Sequence, residues 1–82
     1  MIEKRPTVLI VDDDESIRDT LEAILKKNYA VIKAEDGETA LRIVEAEEVN
    51  VILLDIMLPG MGGLEVLERI KGYYTGPTAA TA

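Results

Sequence analysis

Runs of consecutive aliphatic residues alternate along this chain with segments of helical periodicity. Successive apolar residues at Thr7–Val11 and at 51–54 are typical of strands buried on both faces of a parallel sheet. The segment 29–34 is more polar, which predicts a strand at a sheet edge. Helical spacing predicts one helix after each strand, with the apolar positions Ile17, Leu21, Ile24 and Leu25, then Ala40, Leu41 and Val44, then Leu64, Leu67 and Ile70.

The order of these elements is βαβαβα, and such an alternation favours a parallel sheet with right-handed crossovers. We therefore predict an α/β fold in three layers, with the first strand between the second and the third. The sheet order would then be 2-1-3. Ligands bind open sheets of this kind beyond the carboxyl ends of the strands, at the point where the strand order reverses.

Acidic residues stand at that point of the predicted sheet. Asp12, Asp13 and Asp14 directly follow the first strand, and Asp55 directly follows the third. Asp14 is well placed to cap the next helix. A lone Asp after a strand is usually a turn residue, but two acidic strand ends that meet favour one shared site of Asp12, Asp13 and Asp55.

Composition narrows the chemistry of such a site. Sixteen acidic residues against nine basic ones give a net charge of -7, which argues against a nucleic-acid partner. The chain has no Cys and no His, so neither a thiolate nor an imidazole can bind a metal or act as a base. No apolar run reaches membrane-spanning length and the N-terminus lacks a signal-peptide pattern, so we expect a cytoplasmic protein with no membrane partner.

Neighbouring carboxylates repel one another unless a cation compensates their charge. Oxygen ligands without His or Cys suit Mg²⁺ best, with Mn²⁺ as the alternative. A carboxylate beside such a cation can attack a phosphoryl group while the metal neutralises charge on the transferring oxygens. The residues therefore predict an aspartyl-phosphate site, without selecting which Asp is the nucleophile.

Three stretches of the chain match one protein family in order and in spacing. The first strand with Asp12-Asp13-Asp14, the segment 34–41, and the segment 54–67 resemble the receiver domain of bacterial two-component response regulators. This resemblance implies a flavodoxin-like fold and a phospho-acceptor module whose phosphodonor is a sensor histidine kinase. It also implies self-phosphorylation and autodephosphorylation as the only chemistry of the chain, so we do not expect an enzyme in the usual sense.

The resemblance also implies roles for individual residues. Asp55 would accept the phosphoryl group. Mg²⁺ would be bound by Asp13, Asp55 and the backbone carbonyl of Met57, while Asp12 would act through a water molecule. One departure is Gly62, because the family usually has Asp at this position, but this change removes no known ligand.

The C-terminal part departs further from the family pattern. A receiver has five βα units, whereas the pattern here supplies three, so residues 1–72 would be the N-terminal part of a receiver. The Lys of the fifth strand, which contacts the phosphoryl group, is missing. Residues 73–82 have the composition of a tail or linker, or of a degenerate fourth strand in which Thr81 would be the switch hydroxyl.

The missing units have a consequence for the third strand. Without a neighbour, this strand would be a long apolar edge, and bare edges recruit other chains. We therefore expect a homo-oligomer that forms through the third strand or by exchange of segments between copies.

Two alternative functions stay open at this point. Asp12-x-Asp14-x-Ser16 loosely fits the first motif of phosphohydrolases of the haloacid-dehalogenase type, with Asp12 as nucleophile and Asp14 as general acid. That interpretation leaves Asp55 without a role. The second alternative is a truncated or engineered half-domain that oligomerises without signalling. A phosphoryl adduct that depends on Asp55 would separate both from a receiver.

Overall fold

The computed structural model describes residues 5–74 and 76–81, which form a four-stranded sheet with three helices. The elements in chain order are β1 (Thr7–Val11), α1 (Glu15–Leu25), β2 (Ala30–Ala34), α2 (Gly37–Ala46), β3 (Val51–Asp55), α3 (Gly63–Ile70) and β4 (Thr78–Thr81). The sheet order is β2-β1-β3-β4, and all neighbouring strands are parallel. The predicted α/β fold, with β1 between β2 and β3, is confirmed.

The fourth strand corrects one expectation. β4 pairs with β3 from Ile52↔Thr78 to Asp55↔Thr81, so β3 is an interior strand, and its prediction as a bare edge is wrong. Self-association through an exposed β3 edge therefore loses its basis. The prediction missed β4 because a parallel ladder is held by main-chain hydrogen bonds, which Thr and Ala make as well as other residues do. These residues lack the large aliphatic side chains by which a strand is recognised in a sequence. The domain division after residue 72 stays a prediction.

One face of the sheet forms the core with α2 and α3. Alternate residues of the two central strands point to this face, and Leu9, Ile52 and Leu54 are at most 1% exposed. This alternation is the period of two that extended strands impose on their side chains. The helix residues that complete the same cluster include Ala40, Val44, Val66 and Ile70.

Helix α1 packs against β1 and β2 outside this cluster and is less deeply buried. No residue of α1 is fully buried, and Ile24 is 63% exposed. Its Ile17 and Leu21 line a small cavity together with Ile10 and Leu53, the strand residues that alternate away from the core. The sheet thus lies between α1 and the α2–α3 pair, which gives the three predicted layers.

Aspartates cap the first two helices. The carboxylate of Asp14 accepts a hydrogen bond from the Ser16 amide at 2.9 Å, and that of Asp36 accepts one from the Thr39 amide at 2.8 Å. Each bond satisfies an amide that has no partner within its helix. Hydrogen bonds to a carboxylate favour its ionised form, so both caps lower the pKa of their Asp. The pKa of Asp14 is lowered chiefly by the Ser16 hydroxyl and then by the Ser16 amide, and the pKa of Asp36 is lowered chiefly by the Thr39 amide.

Candidate functional site

Three carboxylates converge at the carboxyl end of the sheet. Each of Asp12, Asp13 and Asp55 offers one oxygen, and these oxygens lie within 4.8 Å of one another. The register explains why, because Val11 of β1 pairs with Leu54 of β3, so the residues that follow in the two strands are neighbours. Asp12 and Asp55 are half-buried, whereas Asp13 is exposed. The acidic ends of β1 and β3 therefore lie side by side, as the sequence indicates.

Asp12 is fixed by hydrogen bonds to β2, to the loop before α1 and to α1 itself. Its amide donates to the Ala34 carbonyl at the end of β2 at 3.1 Å. Its Oδ1 accepts from the Asp14 amide at 2.9 Å, and its carbonyl accepts from Nη1 of Arg18 at 2.7 Å. These bonds hold Asp12 at the end of β1 without help from β3.

Sequence reasoning missed the contribution of Arg18. Its position on α1 falls between the apolar positions, which is typical of a solvent-facing residue. In the structure the side chain is partly buried and turns back to the Asp12 carbonyl. Helical periodicity alone cannot show this contact, because the contact joins the first turn of a helix to the loop before that helix.

Asp55 is oriented from its own loop. The Met57 amide donates to Oδ1 of Asp55 at 2.9 Å, which closes a short turn at the end of β3. The Met57 side chain is 72% exposed beside this turn. In the structure Met57 therefore contacts the Asp55 carboxylate through its amide. The role of the Met57 carbonyl as a metal ligand stays a prediction.

The start of α3 packs directly against the Asp55 backbone. The Gly63 amide donates to the Ile56 carbonyl at 3.0 Å. A Cβ atom on Gly63 would lie 2.3 Å from the Ile56 Cα and 2.5 Å from the Asp55 carbonyl oxygen, so only glycine permits this approach. At Gly62, by contrast, a Cβ would meet nothing within 4 Å. The departure from the family at Gly62 therefore concerns only the cap of α3, which has no side-chain hydrogen bond.

Asp14 serves the helix and not the carboxylate cluster. Its Oδ1 accepts from the amide and from the hydroxyl of Ser16, at 2.9 Å and 2.7 Å. The Ser16 hydroxyl is the main reason why the pKa of Asp14 lies below its ordinary value. A carboxyl group held in its ionised form is a poor proton donor, so Asp14 does not suit the general-acid role of the phosphohydrolase alternative.

Thr81 stands opposite Asp55 in the β3–β4 register. This places its backbone at the same end of the sheet as the three carboxylates. The side chain of Thr81 lies outside the described part of the structure. Its role as a switch hydroxyl therefore stays a prediction.

The donor set fits a hard divalent cation. Carboxylate oxygens within 4.8 Å of one another lie close enough to hold one cation, some of them directly and some through water. Two half-buried acids are less well screened by water than exposed ones, which strengthens both their repulsion and their attraction for a cation. Mg²⁺ and Mn²⁺ both suit such oxygen ligands.

Comparison with known proteins gives one consistent family. The model of the response regulator receiver domain matches residues 8–80. A curated relative, a cyclic di-GMP phosphodiesterase of Thermotoga maritima, is 48% identical over 66 residues. That match covers 79% of this chain and 17% of the relative, so the chain spans less than a fifth of that protein.

Solved structures agree with the family match. A CheY-like response regulator receiver domain protein from Methanospirillum hungatei is 34% identical, with a TM-score of 0.88, over 94% of this chain and 63% of that chain. The chemotaxis protein CheY4 of Vibrio cholerae is 32% identical, with a TM-score of 0.86, over 93% of this chain and 67% of that one. No helix in the described ranges has the length and apolar character needed to cross a bilayer.

Proposed function

We propose that this chain, which belongs to the response regulator receiver domain family, accepts a phosphoryl group on Asp55 in two-component signalling. The observation that carries the proposal is the cluster of Asp12, Asp13 and Asp55 at the carboxyl ends of β1 and β3. Receiver domains are phosphorylated by histidine kinases, so the phosphodonor would be the phosphohistidine of a sensor kinase.

We assign the nucleophilic role to Asp55 because the resemblance to receiver domains implies it. Asp55 ends an interior strand between β1 and β4, and the Met57 amide holds one of its oxygens. In the reaction a carboxylate oxygen of Asp55 forms the new O–P bond as the P–N bond of phosphohistidine breaks. The imidazole leaves with the electron pair of that bond and takes a proton from solvent.

All three acids would also take part in holding the cation. Asp13 and Asp55 would bind Mg²⁺ directly together with the Met57 carbonyl, and Asp12 would bind it through water. The bound ion would supply positive charge that neutralises the transferring phosphoryl oxygens. The chain itself contributes orientation, because Arg18 and the Ala34 carbonyl fix the Asp12 backbone.

Receiver domains are signalling modules, and we propose no enzyme activity beyond phosphorylation of Asp55 and its slow hydrolysis. The phosphodiesterase activity in the name of the Thermotoga maritima relative belongs to that protein, 17% of which the match covers. We propose no such activity for this chain.

The proposal is tested by incubating the protein with Mg²⁺ and acetyl phosphate and measuring its intact mass. We expect one labile phosphoryl adduct in the wild type and none in Asp55→Asn. Asp36→Asn is the matched control, because it removes one carboxylate outside the cluster and Asn caps a helix as well as Asp does. An adduct that survives in Asp55→Asn, or a folded wild type that forms none, would refute the proposal.

A further inference from the structure

The amino ends of three strands meet in a hydrogen-bonded cluster at the edge of the sheet opposite the carboxylates. Asn50 makes two hydrogen bonds with Thr7. Its side-chain Oδ1 accepts from the main-chain amide of Thr7 at 2.7 Å, and its main-chain amide donates to the Thr7 carbonyl at 2.9 Å. The Pro77 carbonyl accepts from the Ile52 amide at 3.1 Å, which is the first bond between β3 and the chain entering β4. These residues therefore define where β1, β3 and β4 begin.

The Tyr74 hydroxyl joins the parts of this cluster. It lies 2.5 Å from the Asn50 carbonyl oxygen and 2.7 Å from the Pro77 carbonyl oxygen, and it shares its single proton between these two acceptors. Burial raises the pKa of Tyr74, so the hydroxyl keeps the proton that it donates. One side chain in the segment after α3 thus connects the start of β3 to the start of β4.

Gly76 leaves the space that this arrangement needs. A Cβ atom at this position would lie 2.5 Å from the Tyr74 hydroxyl oxygen and 2.7 Å from the Asn50 carbonyl oxygen. Any larger residue would therefore displace the hydroxyl from the two carbonyl groups.

β4 has little else to determine its alignment. Strand register is well specified where alternate side chains are buried, and weakly specified where they are not. Ala79 and Ala80 in the middle of β4 are both exposed. A slip by one residue would move the strand by roughly 3.3 Å and turn each side chain to the opposite face, and the small side chains of β4 would resist this only weakly.

We infer that Tyr74 is a positioning residue that fixes the register of β4 on β3 and thereby holds Thr81 opposite Asp55. The bond from Ile52 to Pro77 sets the first step of the ladder, and the register then runs from Ile52↔Thr78 to Asp55↔Thr81. The relevance of this alignment for phosphoryl chemistry rests on the proposed function, whereas the alignment itself does not.

The alignment is tested by NMR of Tyr74→Phe, which removes only the hydroxyl. Tyr73→Phe is the matched control, because the Tyr73 hydroxyl bonds to Glu45 on α2 and the residue is 58% exposed. In Tyr74→Phe we expect the Ile52 amide to exchange with solvent about tenfold faster than in the wild type, because the loss of one ordinary hydrogen bond changes an opening equilibrium by about this factor. We also expect the cross-strand contacts of the Leu53↔Ala79 pair to weaken, while those between β1 and β2 persist.

Coupling to the site is tested by a double-mutant cycle with Thr81→Ala. The rate of adduct formation from acetyl phosphate should fall several-fold in Tyr74→Phe, and should fall no further when Tyr74→Phe is added to Thr81→Ala. A purely structural role of Tyr74 would instead slow both backgrounds equally. Additive effects would therefore overturn the positioning role.

The remaining outcomes are also decisive. Wild-type exchange at Ile52 and wild-type strand pairing in Tyr74→Phe would refute the inference, whatever the phosphorylation result. Gly76→Ala provides a second variant, since it displaces the hydroxyl without removing it and should give the same loss of pairing. If the wild type forms no adduct, the proposed function fails, and the NMR comparison still decides the role of Tyr74.

Discussion

Gly63→Ala directly perturbs the junction between α3 and the phosphoryl-acceptor strand. The added Cβ would lie 2.3 Å from the Ile56 Cα and 2.5 Å from the Asp55 carbonyl oxygen, and both are main-chain atoms that cannot rotate away. Ordinary van der Waals contact begins at 3.4 Å. The first turn of α3 must therefore withdraw from the end of β3 by about 1 Å, since packed interiors have no spare volume there.

The cost of this movement has two opposing parts. Forcing one extra methyl group into a packed site costs about 1–3 kcal/mol. The better helix propensity of Ala returns up to about 1 kcal/mol. We expect Gly63→Ala to lower the free energy of unfolding by about 1–2 kcal/mol, because the clash involves backbone on both sides. Since a misplacement of about 1 Å can cost on the order of 100-fold in rate, adduct formation on Asp55 should slow by 10- to 100-fold as an order-of-magnitude estimate.

The measurement is urea unfolding followed by far-UV circular dichroism, together with the rate of adduct formation from acetyl phosphate. Gly72→Ala is the control, because its Cβ would only meet the Arg69 carbonyl oxygen at 3.4 Å. This control should change stability by no more than about 0.5 kcal/mol, as is usual for surface positions. If Gly63→Ala matched Gly72→Ala in stability and kept the wild-type rate, the close packing of α3 on Asp55 would have no energetic importance.

Two further predictions concern the residues around the site. The pKa of Asp36 is lowered from its ordinary value of 3.8, chiefly by the Thr39 amide. The ionised cap therefore stabilises the folded state fully above pH 3.8. This contribution is lost as the pH falls through the lower pKa of the folded state. Urea titrations from pH 5 to about pH 2 should therefore show a shallower loss of stability in Asp36→Asn, which caps α2 without titrating, and an unchanged slope would contradict this. Arg18→Lys keeps the charge but loses the planar donor that reaches the Asp12 carbonyl at 2.7 Å, so it should cost about 1 kcal/mol of stability. Mg²⁺ titration should show weaker binding in Arg18→Lys than in the control Arg42→Lys. Arg42 donates to the Thr39 hydroxyl at 3.5 Å on α2, so it has no hydrogen bond to Asp12 among those described. Equal binding in both variants would rule out the positioning role of Arg18.

The parts of the structure that sequence predicts well are those with strong local signals. β1 and β3 are marked by consecutive aliphatic residues, and the acids that follow them reach the same edge because parallel strands end together. The cap at Asp14 is equally local, since donor and acceptor are two residues apart. β4 lacks this kind of signal, because Ala79 and Ala80 carry no large apolar surface. Its position depends on contacts with residues more than twenty positions earlier, such as Tyr74 with Asn50, which no sequence period encodes.

Stability and precision at the site arise from different residues in this small domain. Buried side chains such as Leu9, Ile52 and Val66 supply the apolar core on the α2–α3 face of the sheet. The acids are held instead by main-chain links, with the Ala34 carbonyl at Asp12 and the Met57 amide at Asp55. Each such link contributes about 0.5–1.5 kcal/mol to stability, whereas the full burial of one large apolar side chain contributes about 1.5–3 kcal/mol. Core substitutions should therefore reduce the amount of folded protein, whereas changes in the links should reduce phosphoryl chemistry in a protein that remains folded.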